Sequence, residues 1–576
     1  MAVAMILKLG TMISGLLVWG IAVNLLLPLH SAHLHVLSQR VPLPGPDLRQ
    51  CLKGSPCCLQ VPDDGTEAVK FERNASIPVR ERLSAKTALQ SSEYVKKLAM
   101  AYRKMRELQH NDPEDPRGME QQRLVHCVYC SGGLAYGREY DVHNNWFFLP
   151  WHRMYLYFHE RILAAMVGDP DFRLVFWSWD SRSGREFPAA FRRPSSPLFD
   201  RNRNDNDWNL RALVSNATRR EMLRTTIVDA DTHELFLGRP LGSEQGGLIE
   251  TGSHNAIHAA VGRQTPPFHN MGNLSWAAAD PVFFAHHANV DRLWWVWLRL
   301  PTATTTRRCN PPDHTWRCSR FVFYDENAVL TSISVKDVLE TEQNLRYTYE
   351  DVENDWLPSR EQMIRRYAER RRNIASLWEI SSRASTWPTL LRAATAVRSS
   401  GNIVDCPLLA LGRGNRQRTE PFDSESPQGG YRGDSTTTTR TPAHACSATS
   451  EHAAAYGTLV VSLDSFHLSC QSPFLFHVYI TCTYWNGEET ISRPHYLSSL
   501  YSFPASGSRT RVTRTVQFPI AEALGSDLDL WERANWTLRI VPQELGTEPM
   551  GTLSLLLPSV RVEWLYPTIT QRRERP

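Results

Sequence analysis

His254 and His258, in the string GSHNAIHAAVG, are four residues apart. On a helix they share one face, so both imidazoles can reach one metal ion. An isolated pair of this kind more often lies on a surface or in a core. A zinc protease would need Glu after the first His as its general base, and Asn255 stands there. Further along, DPVFFAHHANVDRLW places His286 and His287 in an apolar stretch flanked by Asp280 and Asp291. Imidazole is costly to bury unless its nitrogens are engaged, so packing alone is a poor account of this pair. Asp291, one turn beyond His287, is placed to steady that region. Upstream lie His126 in LVHCVYC, His143 in DVHNNW and His152 in FLPWHRMYLYFHERIL. Two clusters of neutral imidazole donors with few carboxylates suit copper better than magnesium, calcium or manganese. Zinc also takes imidazole, so ligand type leaves both metals open.

The elements that position these residues follow from patterning. Trp151–Met166 carries apolar residues at helical spacing, and Pro150 suits a first turn. Nine residues separate His143 from His152, which would put them on opposite faces of one helix. His143 must therefore approach from the loop before it. Asp280 and Pro281 read as the N-cap and first residue of a second helix running through FFAHHANVDRLWWVWL. Beyond residue 450 the period changes. The runs 458–463, 474–484, 511–518, 536–541 and 551–564 are β-rich and separated by turn residues, which suggests a small antiparallel sandwich. Between the two regions lie the basic string MIRRYAERRRN and the Ser/Thr/Gly/Pro-rich SESPQGGYRGDSTTTTRTP, expected as an exposed, protease-sensitive linker.

The string VHCVYC…VHNNWFFLPWHRMYLYFHERIL, followed by FWSWD, resembles the first copper-binding region of plant-type polyphenol oxidases, the tyrosinase and catechol oxidase family. GLIETGSHNAIH…DPVFFAHHANVDRLWW resembles the second, and FVFYDENA…LRYTYEDVENDWL the segment that follows them. The likeness covers residues 48–357. FHVYITC and TLSLLLPSVRVEW resemble, more weakly, strands of the family's shielding domain.

The resemblance implies a mainly α catalytic domain, with a four-helix bundle around a type-3 dicopper site, and a C-terminal all-β sandwich domain. The expected division is a leader at 1–47, the dicopper domain at 48–365 (its 338–357 segment included), a linker at 366–450 and a shielding domain at 451–576. By the same resemblance His126, His143 and His152 hold one copper, and His254, His258 and His287 the other. His286 is then a non-ligand neighbour. Cys130 would form a thioether with His143, and disulfides would join Cys51 to Cys58 and Cys57 to Cys127. Eleven cysteines is odd, and one thioether leaves an even ten. Cys309 and Cys318 could close a loop, while the pairing of Cys406, Cys446, Cys470 and Cys482 stays open.

The implied activity is oxidation of o-diphenols to o-quinones with O2. Glu250 matches the family's water-holding Glu, and Asn255 the residue that helps that water act as a base, which adds monophenol o-hydroxylation. Glu250 also reads simply as a helix N-terminal carboxylate. Leu274, in MGNLSW, stands where many plant members carry a Phe over the second copper. The expected partners are phenolic small molecules and O2. A haemocyanin-like O2 carrier without turnover is the competing class.

With 576 residues the chain has room for two or three domains. Its 42% apolar and 22% charged residues exclude wholesale disorder. A net charge of +4 excludes a dedicated nucleic-acid binder. Residues 9–27 form an apolar run after Lys8, the layout of a secretory signal or an anchor that would hold an uncleaved chain in a membrane. With four Asn-x-Ser/Thr sequons (Asn74, Asn216, Asn273, Asn535), this favours the secretory pathway: vacuole, extracellular space or endomembrane lumen. The thylakoid lumen of a plastid is the alternative.

Overall fold

The longest helices lie where the apolar spacing has a 3.6-residue period, and the long strands where it has a period of two. The computed structural model describes residues 42–52, 54–130, 136–137, 140–204, 216–263, 269–300, 308–365 and 368; and, beyond those, 389–393, 397–400, 404–410, 458–469, 474–502, 513–520, 524, 527, 534–544, 554–557 and 559–565. The apolar run at 9–27 and the Ser/Thr-rich string lie outside them. Among the described residues no helix is long and apolar enough to cross a membrane.

Among the described residues, six α-helices of seven residues or more build the first region: α1 (Ser92–Asn111), α2 (Met119–Cys130), α3 (Phe148–Val167), α4 (Asn216–Leu223), α5 (Asn255–Val261) and α6 (Val282–Trp297). A π-helical turn, Ile249–His254, leads into α5. Every residue of α2 except Glu120 is buried, which makes it a central helix. Helix α3 ends where Gly168 adopts φ 65°, a left-handed C-cap that glycine takes without strain. Helix α6 starts one residue later than the sequence suggests. Pro281 is its N-cap, and Asp280 Oδ1 accepts from Val282 N at 2.9 Å, so the aspartate still caps the turn.

Short strands brace this region. β1 (Val69–Lys70) pairs in parallel with β4 (Leu330–Ser334), which pairs with β3 (Arg320–Tyr324). β2 (Arg80–Arg82) pairs with β5 (Tyr347–Tyr349).

The second region is one hydrogen-bonded antiparallel sheet of ten strands. They are β6 (Thr389–Ala393), β7 (Val397–Ser400), β8 (Val404–Ala410), β9 (Thr458–Ser469), β10 (Phe474–Trp485), β11 (Thr490–Ser502), β12 (Thr513–Pro519), β13 (Asn535–Glu544), β14 (Ser554–Leu557) and β15 (Ser559–Leu565). Their order is β11-β10-β13-β8-β6-β15-β9-β14-β7, with β12 also on β9. One expectation is corrected. Residues 366–450 are not all linker: β6, β7 and β8 lie within them and pair with β15, β14 and β13. The ladder is continuous, because β9 bonds β12 along one side and β14 and β15 along the other.

Candidate dicopper centre

Two groups of histidines meet in the helical core. His126 (α2), His143 (the turn before α3) and His152 (α3) gather with Cys130, their donor atoms within 4.8 Å of one another. His254, His258, His286 and His287 form the second group, within the same limit. All eight side chains are buried. The groups face each other, and the rings of His152 and His287 stack 4.3 Å apart at 10°.

The hydrogen bonds fix which nitrogen each ring offers. A carbonyl only accepts, so a ring nitrogen bonded to one carries the proton. His126 Nδ1 donates to Leu274 O at 2.9 Å and His152 Nδ1 to Phe148 O at 2.8 Å. Their Nε2 atoms are buried with no hydrogen-bond partner. In the second group His258 Nδ1 donates to Met271 O at 3.0 Å, and His254 Nδ1 to Asn255 Oδ1 at 2.9 Å. The Nε2 atoms of His254 and His258 therefore point lone pairs at His287 Nε2, 3.3 and 3.2 Å away. An Nε2–H on His287 could serve only one of the two, whereas a cation among the three nitrogens satisfies them all. Imidazole nitrogens bind metals at ~2.0–2.1 Å, so nitrogens sharing one ion stand about 3.3 Å apart. The second group thus has the spacing of a single metal site. Burial holds the imidazoles neutral, the ligating form: it pushes His152 down to about 3 and His258 to about 4.

Glu250, Asn255 and Leu274 all lie at this centre. Glu250 Oε1 accepts from Asn144 N at 2.8 Å, tying the residue after His143 to the turn that carries His254. Asn255 fixes the tautomer of His254, and Leu274 reaches His126 through its carbonyl. Cys51 is paired with Cys58 and Cys57 with Cys127, the latter bond tying the N-terminal segment to α2. Cys130, Cys318 and Cys482 are in no disulfide, and Cys309 is disulfide-bonded, so the loop closure between Cys309 and Cys318 does not form. Cys406 lies in β8, and Cys446 and Cys470 lie outside the described residues.

Buried charges anchor the helices that carry the ligands. Asp291 accepts from Arg153 Nε at 2.6 Å and from Tyr347 OH at 2.6 Å, so it joins α6 to α3 next to His152. Asp180, in FWSWD, receives Asn289 Nδ2 at 2.8 Å, Arg292 Nη2 at 2.7 Å and Trp356 Nε1 at 2.9 Å. The patterns located Asp291 but gave no signal for Asp180, Arg203 or Asn270, whose partners are distant in sequence.

Residues 104–222 and 192–300 match the common central domain of tyrosinase, and residues 310–362 the polyphenol oxidase middle domain. The solved polyphenol oxidase of Grenache grape (Vitis vinifera) is 34% identical, with a TM-score of 0.50, covering 55% of this chain and all of that one. The chain belongs to the plant-type polyphenol oxidase family. The structure of latent apple tyrosinase extends the likeness to 87% of this chain and all of that one, at 25% identity and a TM-score of 0.60. The chloroplastic polyphenol oxidase of Malus domestica is 38% identical over 341 residues. The match spans 54% of this chain and 55% of that relative's length.

Membership decides between copper and zinc, and the two histidine groups are a dicopper centre. It also corrects the location. Relatives of 34–38% identity are named chloroplastic, which points to a plastid and not to the secretory pathway. The physical reason is that a basic residue followed by an apolar run marks a translocated segment without saying which membrane it meets. The sequons then carry no argument about location.

Proposed function

We propose that this chain oxidises o-diphenols to o-quinones with O2, also hydroxylates monophenols, and is latent until the C-terminal sheet is displaced. The observation that carries the first part is the pair of buried imidazole triads, His126, His143 and His152 opposite His254, His258 and His287, with His254 Nε2 and His258 Nε2 converging on His287 Nε2 at 3.3 and 3.2 Å. When bound, a copper pair supplies two one-electron changes, enough to exchange two electrons with O2 and with a catechol.

The chain's own part is positional. Carbonyls and Asn255 hold the ring tautomers, apolar Phe148 and Phe283 pack against the triads, and the buried setting excludes water. In this reading Glu250 holds a water that takes the monophenol's proton, with Asn255 beside it. A Cys130–His143 thioether would lock the one ligand that comes from a turn.

Latency is supported by how the sheet docks. β11 packs against α4, α5 and the π-helical turn that leads to His254, and β12 packs against Arg224–Asp229 and His233–Phe236. Gln245 Nε2 donates to Gln517 Oε1 at 2.8 Å in a buried contact, and Thr515 N donates to Glu244 O at 3.2 Å. Oxygen uptake with catechol and with a monophenol, before and after mild proteolysis between Arg413 and Arg440, tests the proposal. Uptake with both substrates that rises after cleavage supports it. Reversible oxygenation without quinone would favour an O2 carrier, and equal rates before and after would remove latency.

A further inference from the structure

One short loop holds a ligand from each triad. Met271 O receives His258 Nδ1 and Leu274 O receives His126 Nδ1, so any shift of this loop moves both copper sites together. The loop begins at Asn270, which is buried and sits at φ 58°, a left-handed conformation that costs an ordinary residue energy. What holds it there is a hydrogen bond from its Nδ2 to Asp200 Oδ2.

Asp200 begins a segment that grips the neighbouring helices as well. Arg203 clamps both oxygens of Asp280, the cap of α6, at 2.6 Å, and the two side chains are almost fully buried. Asn204 N donates to Val261 O at 2.9 Å, at the end of α5. A Cβ on Gly262 would collide with the backbone of Gly272, so the loop is pressed directly onto that helix end. Residues 200–204 thus reach α5, α6 and the loop that serves His126 and His258.

We propose that Asp200 and Asn270 are positioning residues for the dicopper centre, their hydrogen bond fixing the loop whose carbonyls aim His126 and His258. The inference rests on the ligand assignment proposed above. Neither residue touches metal or substrate. They act through Met271 O and Leu274 O, which set the tautomer and ring angle of one ligand in each site.

The test is a chelator challenge on copper-loaded, full-length protein. Asp200→Ala should release copper about 10- to 100-fold faster than wild type, as loss of a ligand's supporting hydrogen bond does elsewhere, and from both sites together. Asp200→Asn keeps an oxygen that accepts the same N–H, so it should release copper at close to the wild-type rate. Asn270→Gly keeps the left-handed backbone without strain but has no amide to donate, so it should behave like Asp200→Ala. X-ray absorption at the copper edge should show disordered imidazole scattering in the two fast variants. Wild-type release and scattering in Asn270→Gly would overturn the proposal, whatever the melting temperature does. So would loss of copper from one site only. If Asp200→Ala does not fold, the contrast between Asn270→Gly and Asp200→Asn decides. His126→Ala and His258→Ala serve as controls. If each still holds two coppers, the ligand assignment has failed; if each holds one, a negative result counts against the positioning role alone.

Discussion

In the second triad His254 and His258 stand one turn apart on continuous helix, and His287 meets them from α6. In the first, His126 and His152 lie on α2 and α3, while His143 comes from a turn next to Asn144 at φ 57°. The second triad is therefore set by helix geometry and by how two helices pack. The first has a fastener at the one donor that comes from a turn, the bond from Asn144 N to Glu250, and Cys130 lies adjacent. Placing a ligand on a turn exposes it to backbone motion, which the bond from Asn144 N to Glu250 restrains.

The largest effect expected from this contrast is at the second triad. His258→Ala should empty that site, leave the first copper partly bound, and lower catechol oxidation at least about 100-fold, since even outer partners of a metal ligand are worth 10–100-fold. Copper analysis and oxygen uptake check this. Full activity would remove His258 from the ligand set.

Asp291→Ala strikes both triads at once, because Asp291 joins the helix of His152 to that of His287. It would leave Arg153 buried without its carboxylate partner, while Arg82 keeps Glu160. A loss of about 3–5 kcal/mol is expected, read by denaturant unfolding. A loss below 1 kcal/mol would mean that the packing of α3 on α6 holds the geometry unaided.

A smaller effect follows from Asp200. Burial, then the charge of Asp280, raise its carboxyl to about 6, while Asn202, Asn270 and Arg203 pull it down; Arg106 also lies near. In the unfolded chain it loses its proton near the ordinary aspartate value of 3.8. Between pH 4 and 6 the folded state therefore binds more protons, and stability falls as pH rises, by at most about 3 kcal/mol. Asp200→Asn should flatten the melting temperature over that window. An unchanged slope would place the titration elsewhere.

The smallest effect concerns Cys130. If it is tied to His143, the intact mass is lighter by two hydrogens than disulfides alone explain, and Cys130→Ser loosens the first site while sparing the second. A Cys130 that alkylates in denatured, unreduced protein would refute the bond.

The sequence was uneven in what it disclosed, for physical reasons. The four-residue spacing of His254 and His258 is a local property, and Pro150 correctly forces His143 onto a turn. Resemblance, more than spacing, grouped the first triad. β11 escaped notice because Pro494 breaks its strand signal, yet β11 ends the sheet, where a missing N–H is tolerated. β6, β7 and β8 are short, and they are stabilised by partners more than a hundred residues away. Asp180, Arg203 and Asn270 act only through such distant contacts, so no local pattern marks them.

The most direct test of the two-triad account is anomalous diffraction at the copper edge from copper-loaded crystals. The account predicts two peaks: one within ~2.1 Å of the Nε2 atoms of His254, His258 and His287, and one among the imidazoles of His126, His143 and His152. A single peak, or a second copper bound through His286 in place of His287, would contradict it.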